Sequence, residues 1–183
     1  MRIISGKARG TKLYTLDGEN TRPTLDRVKE SLFNIIQSKI KDCIFLDLFS
    51  GSGAIGLEAA SRGAKKVILC DKSKEAIQVI KRNIEKTHTE EQTELYHTSS
   101  QELLENKIKE KVDIIYIDPP YKTNLAFESV RTILDKKIIN KNSIMIIETD
   151  EVERVINQIK KLKLEIIDQR RYGRAHLIFL KEK

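Results

Sequence analysis

Two cysteines, three histidines and three prolines among 183 residues leave little material for a disulfide scaffold, a zinc site or a proline-rich linker. Cys43 and Cys70 each border an apolar run that reads as a buried strand. Neither stands in a metal-ligand spacing, and His88, His97 and His176 do not cluster with them. Both read as small core residues of a reducing compartment, and no metal is expected. Long apolar runs are missing as well. No stretch approaches the roughly 18 residues of a membrane helix. The opening MRIISGKARGTKL is basic but lacks the apolar segment of a signal peptide. There is no internal repeat and no low-complexity tract. These absences predict a cytoplasmic protein without a membrane partner, expected to be a monomer.

What is present suits one globular domain. The length allows a sizeable core, hydrophobic residues make up 39% and charged residues 33%. The formal net charge of +7 suits a polyanionic partner, although a lysine-rich solvated surface accounts for it equally well.

Residues 2–16 turn through Gly6-Lys7-Ala8-Arg9-Gly10 and read as a short β-hairpin. Thr21-Arg22-Pro23-Thr24 is a break, followed by a helix with Val28, Leu32, Ile35 and Ile36 on one face. Strands and helices then alternate. Strands are expected at Cys43–Leu48, Lys66–Cys70, Glu94–His97, Val112–Ile117 and Ser143–Glu148. Helices are expected at Ala54–Arg62, Ser73–Lys86, Leu125–Lys136 and Val152–Lys161. Leu164–Arg170 and Ala175–Leu180 flank Tyr172-Gly173 as a closing hairpin. This alternation predicts an α/β fold with a mainly parallel sheet and helices on both faces. Ligands of such sheets bind beyond the carboxyl ends of the strands, here after Leu48, Cys70, His97 and Ile117.

The first of those ends reads Asp47-Leu48-Phe49-Ser50-Gly51-Ser52-Gly53-Ala54-Ile55-Gly56, in which Gly51, Gly53 and Gly56 fit G-x-G-x-x-G. Asp71, followed by Lys72, ends the second strand, where a carboxylate can accept both hydroxyls of a ribose. A dinucleotide pyrophosphate and S-adenosylmethionine both use such a loop. Asp47, four residues before Gly51, favours the second. An acid suits a sulfonium and an ammonium and is awkward for a pyrophosphate. The third strand end, Thr98-Ser99-Ser100-Gln101, can face an adenine and reads equally well as a helix N-cap. The cofactor-binding candidates are therefore Asp47, Phe49, Gly51, Ser52, Gly53, Asp71, Lys72, Ser99, Ser100 and Gln101.

The fourth end carries Asp118-Pro119-Pro120-Tyr121. Two prolines stiffen the backbone and remove two N–H donors, leaving the Asp118 carboxylate and the Pro119 carbonyl as acceptors. An exocyclic amino group has two N–H groups needing acceptors, and Tyr121 can stack on its ring. As a bare tetrapeptide the same residues make a strand-ending turn. A base so treated must be looped out or flipped. Lys7, Arg9, Lys12, Arg22, Arg27 and Lys29 crowd the N-terminal segment and are candidates for phosphate contacts, with Lys7, Arg9, Arg22 and Arg27 the leading ones.

These residues resemble the RsmD-like family of small-subunit (16S) rRNA guanine-N2 methyltransferases along nearly the whole chain. The opening Arg2-Ile3-Ile4-Ser5-Gly6 with Arg9-Gly10, the segment Arg22-Pro23-Thr24-Leu25-Asp26-Arg27-Val28, the glycine loop, Asp118 to Tyr121 and Tyr172-Gly173 carry the resemblance. Ser5 stands where the family has a second glycine, and Ser99 where it often has Asp or Asn. The resemblance implies a Rossmann-like class I methyltransferase fold with a mainly parallel seven-stranded sheet and a C-terminal antiparallel hairpin. Residues 1–40 would form an RNA-contacting hairpin-and-helix extension and residues 41–183 the catalytic core. It also implies S-adenosylmethionine as cofactor and small-subunit rRNA, or an assembling ribosomal subunit, as partner. Three other readings stay open: an adenine-N6 DNA methyltransferase, a catalytically silent RNA-binding assembly factor, and a nicotinamide oxidoreductase, which Asp47 disfavours.

Overall fold

The computed structural model describes residues 1–16, 23–120 and 122–183. Among them, seven strands form one sheet in the order β3-β2-β1-β4-β5-β7-β6. The strands are β1 (Ile44–Asp47), β2 (Lys66–Asp71), β3 (Thr93–His97), β4 (Val112–Ile117), β5 (Ile139–Thr149), β6 (Leu164–Tyr172) and β7 (Ala175–Glu182). The first five run parallel, and β7 inserts antiparallel between β5 and β6. The chain moves outward from β1 to β3 and then returns to β4 on the other side of β1. The crevice of an open sheet lies at that reversal.

The central parallel strands β1, β2 and β4 and the second half of β5 are mostly apolar, as burial on both faces demands, while the edge strand β3 is polar and half-buried. Phe45, Val67, Leu69, Ile114 and Ile146 face one helical layer; Leu46, Ile68, Ile115, Met145 and Ile147 face the other. The first layer holds α1 (Pro23–Ile40), α2 (Ala54–Ser61) and α3 (Lys74–Thr87). The second holds α4 (Ser100–Glu102), which runs into a π turn at Leu103–Lys107, with α5 (Leu125–Asp135) and α6 (Val152–Ile159). In α3 the expected inward residues Ile77, Ile80 and Ile84 are buried, and the Ser73 side chain caps the helix by accepting from Ala76 N. In α1 the buried stripe is centred on Leu32, Phe33 and Ile36. Ile35 therefore lies at its margin and is 36% exposed, contrary to the expected face.

The N-terminal segment is a short, irregular hairpin. Its two arms pair through the Arg2–Lys12 bridge and the backbone bonds Ile3 N to Thr11 O, Gly10 N to Ile3 O and Leu13 N to Met1 O, and residues 5–10 are turns. The short hairpin is in turn attached to α2. Glu58, with 0% exposure, accepts from Ile4 N at 2.8 Å and Ser5 N at 3.0 Å and pairs with Lys29 at 3.2 Å and Arg62 at 2.7 Å. Ser61 Oγ donates to Ser5 O at 2.6 Å and accepts from Ala8 N at 2.9 Å. Gly6, at φ +85°, is needed for this approach, since a Cβ there would lie 1.8 Å from Ser61 O. Further along, Asn83 bonds both backbone groups of Tyr14, and Arg82 and Lys86 lie over the Tyr14 ring at 3.8 Å and 4.3 Å. The segment is thus docked on α2 and α3 by polar contacts that no hydrophobic periodicity announces, together with the buried side chains of Ile3, Ala8 and Leu13.

Candidate active site

The carboxyl ends of β1, β2, β4 and β5, with the turn after β3, open into one cavity of 630 Å³. Small-molecule sites occupy roughly 300–1,000 Å³.

The loop after β1 is held by its own side chains. Ser50 Oγ donates to Asp47 O at 2.8 Å and accepts from Cys70 N at 3.0 Å, stitching the loop to β2. Asp71 accepts from Gly51 N at 2.9 Å through one carboxylate oxygen and from Ser73 N at 2.8 Å through the other. Asp47 is 1% exposed, and its Oδ2 accepts from Gly56 N at 3.0 Å. Burial, with Asp71 nearby, pushes the Asp47 carboxyl up to about 7, against the opposing effect of the Gly56 hydrogen bond.

Asp47, Phe49, Gly51, Ser52, Asp71, Lys72, Ser99 and Ser100 all line the cavity. Two expected cofactor contacts do not. Gly53 is buried behind the loop at φ +80°, where it starts α2; a Cβ there would meet Ile80 at 3.3 Å rather than a ligand. Gln101 turns away from the cavity, its amide bonded to Glu105 and, at 3.2 Å, to Thr132 of α5. The Ser99 hydroxyl caps α4 by accepting from Glu102 N at 3.1 Å, so the capping reading describes its side chain. Ser50 and Thr98 line the cavity and are absent from the expected contacts.

At the end of β4, Asp118 and Pro119 are half-buried and line the same cavity as the glycine loop. The backbone beyond is tethered by Arg154 of α6, which donates to Thr123 O at 2.8 Å and Asn124 Oδ1 at 3.3 Å. Pro120 is exposed at the cavity rim. Tyr121 and Arg22 lie outside the described residues. Two further cavity residues went unread in the sequence. The Tyr116 hydroxyl donates to Glu148 Oε2, and both are buried. Burial raises the Glu148 carboxyl, and burial with the adjacent Glu148 and Asp118 charges raises the Tyr116 hydroxyl well above its usual value. Glu148 lies near the end of β5 behind an ordinary apolar run, so no motif marked it.

The basic candidates divide. Lys7, Arg9 and Arg27 are exposed. Lys29 is 1% exposed, paired with Glu58, and its ammonium donates to Arg2 O, so it cannot hold a phosphate. Cys43 and Cys70 are buried free thiols pushed up to about 12 chiefly by burial, which keeps them protonated and unreactive. Among the described residues no group of three or more metal-ligating side chains is found, and no helix is long and apolar enough to cross a membrane.

The chemistry of the cavity fits S-adenosylmethionine. Two carboxylates, Asp47 and Asp71, flank a loop whose glycine backbone a ligand can approach closely. A buried acid held partly protonated gains its charge when a cation settles beside it. Two pH effects are therefore expected. Without ligand, Asp47 releases its proton at about 7 in the folded chain against an ordinary 3.8, so this residue lowers stability as pH rises through that interval. Affinity for the cationic cofactor should rise over the same range, with proton release on binding. Calorimetry in buffers of different ionisation enthalpy measures both, and Asp47→Asn should abolish the pH dependence of affinity.

The family model described as Conserved hypothetical protein 95 matches residues 1–181. The Ribosomal RNA small subunit methyltransferase D of Haemophilus influenzae is 36% identical over 158 residues, covering 85% of this chain and 82% of that one. The enzyme of the same name from Escherichia coli K12 is 33% identical over 150 residues, covering 82% and 75%. Among solved structures, the Escherichia coli protein yhhF, to which a methyltransferase role is ascribed, superposes with a TM-score of 0.84 at 26% identity, covering 100% of this chain and 98% of that one. With the strand order above, the chain has the class I S-adenosylmethionine-dependent methyltransferase fold and belongs to the Conserved hypothetical protein 95 family, the family of the small-subunit ribosomal RNA methyltransferase D proteins.

Proposed function

We propose that this protein methylates the exocyclic N2 amino group of a guanine in small-subunit ribosomal RNA. The observation that carries the reading is the meeting, in one cavity, of the acid-flanked glycine loop with Asp118 and Pro119. Asp47, Gly51 and Asp71 hold S-adenosylmethionine, which supplies an activated methyl group when bound. The remaining work falls to the chain. The Asp118 carboxylate accepts one N–H of the amine and the Pro119 carbonyl the other, which turns the nitrogen lone pair out of the ring plane. Pro119 and Pro120 stiffen that backbone, and the Arg154 tether fixes Thr123 and Asn124 beyond it. Tyr121 stacks on the base.

Mass spectrometry of rRNA nucleosides from a deletion strain, with and without complementation, tests the reading. Loss and return of N2-methylguanosine is expected. Unchanged N2-methylguanosine, or methyl transfer to adenine of DNA by the purified protein, would overturn it.

RNA is held by exposed cations. Arg27 directly precedes Val28, a cavity residue, and Lys7 and Arg9 sit on the turn pinned to α2. Neutralising Arg9 and Arg27 together should weaken RNA binding and flatten the slope of log K against log salt by about 0.7–0.9 for each phosphate no longer neutralised. Cofactor affinity should not change. Filter binding between low and moderate salt measures this, and an unaltered slope rejects the phosphate role.

A further inference from the structure

Glu148 is a buried acid in the cavity for which the chemistry above has no use. It is the penultimate residue of β5, the strand beside β4, and the parallel register pairs Ile117 with Ile147. Continued by one residue, that register sets Asp118 opposite Glu148 on neighbouring strands. Both line the cavity, as does Tyr116. Glu148 is 8% exposed, and its Oε2 is taken by the Tyr116 hydroxyl. Among the described residues Oε1 has no hydrogen-bond partner. The carboxylate is thus held in one orientation by a buried phenol, with its second oxygen available.

A guanine held through N2 by Asp118 necessarily presents the neighbouring Watson–Crick position, N1–H, a hydrogen-bond donor. The N1 of adenine or 2-aminopurine is an acceptor instead. Flipped bases are read by hydrogen bonds on this edge. Two adjacent carboxylates match two adjacent donor groups and repel an acceptor at the second position.

We propose that Glu148 accepts the N1–H of the target guanine beside Asp118 and so sets the preference for guanine, with Tyr116 as the positioning residue that aims it. This rests on the reading of the protein as a guanine-N2 methyltransferase.

The test uses small-subunit rRNA ligated from fragments, with guanine or 2-aminopurine at the position that the wild type methylates, once mass spectrometry has located it. 2-Aminopurine keeps the amino group and lacks N1–H. Single-turnover rates on the two RNAs give a selectivity ratio. The wild type should favour guanine by about 100-fold or more, since a site built to bond a polar group rejects the analogue lacking it. In Glu148→Gln the Tyr116 hydroxyl retains the side-chain oxygen as acceptor and leaves the amide N–H toward the base. The guanine rate should fall by about 10- to 100-fold, and the ratio should shrink by at least tenfold. Glu148→Asp should keep most of the selectivity.

Equal wild-type rates on the two RNAs overturn the proposal without any variant, so a variant that fails to fold does not protect it. Equal losses on both bases in a Glu148→Gln protein that still binds cofactor also overturn it, as a structural role would produce them. Absence of any wild-type transfer to guanine N2 fails the underlying reading, and the proposal falls with it. Transfer to guanine with no selectivity leaves that reading standing and removes only Glu148.

Discussion

Asp118→Asn is expected to slow methyl transfer by on the order of 100-fold or more while cofactor binding stays near normal. The N2 lone pair of guanine is conjugated with the ring, so the amine is a poor nucleophile. As the N–C bond forms, positive charge grows on nitrogen. A carboxylate at hydrogen-bond distance stabilises that charge more than it stabilises the neutral amine, and this difference is what accelerates the step. Deprotonation can follow transfer, so no strong base is required beforehand. Asparagine keeps the shape, loses the charge, and can turn an N–H donor toward the substrate. Cofactor binding is spared because the acids that flank the glycine loop, Asp47 and Asp71, are untouched. Single-turnover methylation of small-subunit rRNA, with cofactor affinity measured separately, checks both halves. A near-wild-type rate in this variant would reject the mechanism.

Glu58→Gln should be the most damaging substitution for stability outside the hydrophobic core. Its carboxylate, with 0% exposure, serves four donors: Ile4 N, Ser5 N, Lys29 Nζ and Arg62 Nε. An amide offers one oxygen for them and places an NH2 where an acceptor was. Lys29, itself 1% exposed, is then left as a buried cation without its counter-charge. Burial already depresses its pKa more than Glu58 can restore it. Removing one partner of a buried pair costs about 3–5 kcal/mol. In a chain of this size that lowers Tm by roughly 10 °C. The damage should centre on the N-terminal segment, so amide exchange ought to accelerate at Ile4, Ser5, Lys7 and Ala8 before it does in β1 or β4. Met1, Val28 and Lys29 line the cavity, so RNA turnover should fall as well. Thermal unfolding and hydrogen exchange report these effects. A Tm within a degree or two of wild type would show that the segment is held by other contacts.

Much of this protein is legible in one dimension because parallel strands buried on both faces must be continuous apolar runs. Cys43–Leu48, Lys66–Cys70 and Val112–Ile117 stand out for that reason, and their order with the intervening helices leaves few topologies. Strand ends are equally legible, since a ligand crevice follows from the topology and the apolar runs give way to Ser50-Gly51, Asp71-Lys72 and Asp118-Pro119. What misled was reading every motif residue as a contact. Gly53 is required by backbone conformation and faces Ile80, and Gln101 belongs to a helix surface. Lys29 counted as a surface cation because charge in a sequence carries no sign of burial. The N-terminal segment pairs as a short hairpin, but its side-chain partners are Glu58, Ser61 and Asn83, 53 to 69 residues away, and alternation gives no sign of them.

The sequence by itself determined the α/β alternation, the acid-flanked glycine loop and the position of Asp118-Pro119 at the end of a core strand, because each rests on residues within a short stretch and on local backbone chemistry. Only the tertiary structure decided that Glu148 stands beside Asp118, that Tyr116 orients it, and that Glu58 collects four donors from three separate elements. Those arrangements depend on strand register and on helix docking across tens of residues. Register is set by the packing of the whole sheet, and nothing in the immediate neighbourhood of Glu148 or Glu58 encodes it.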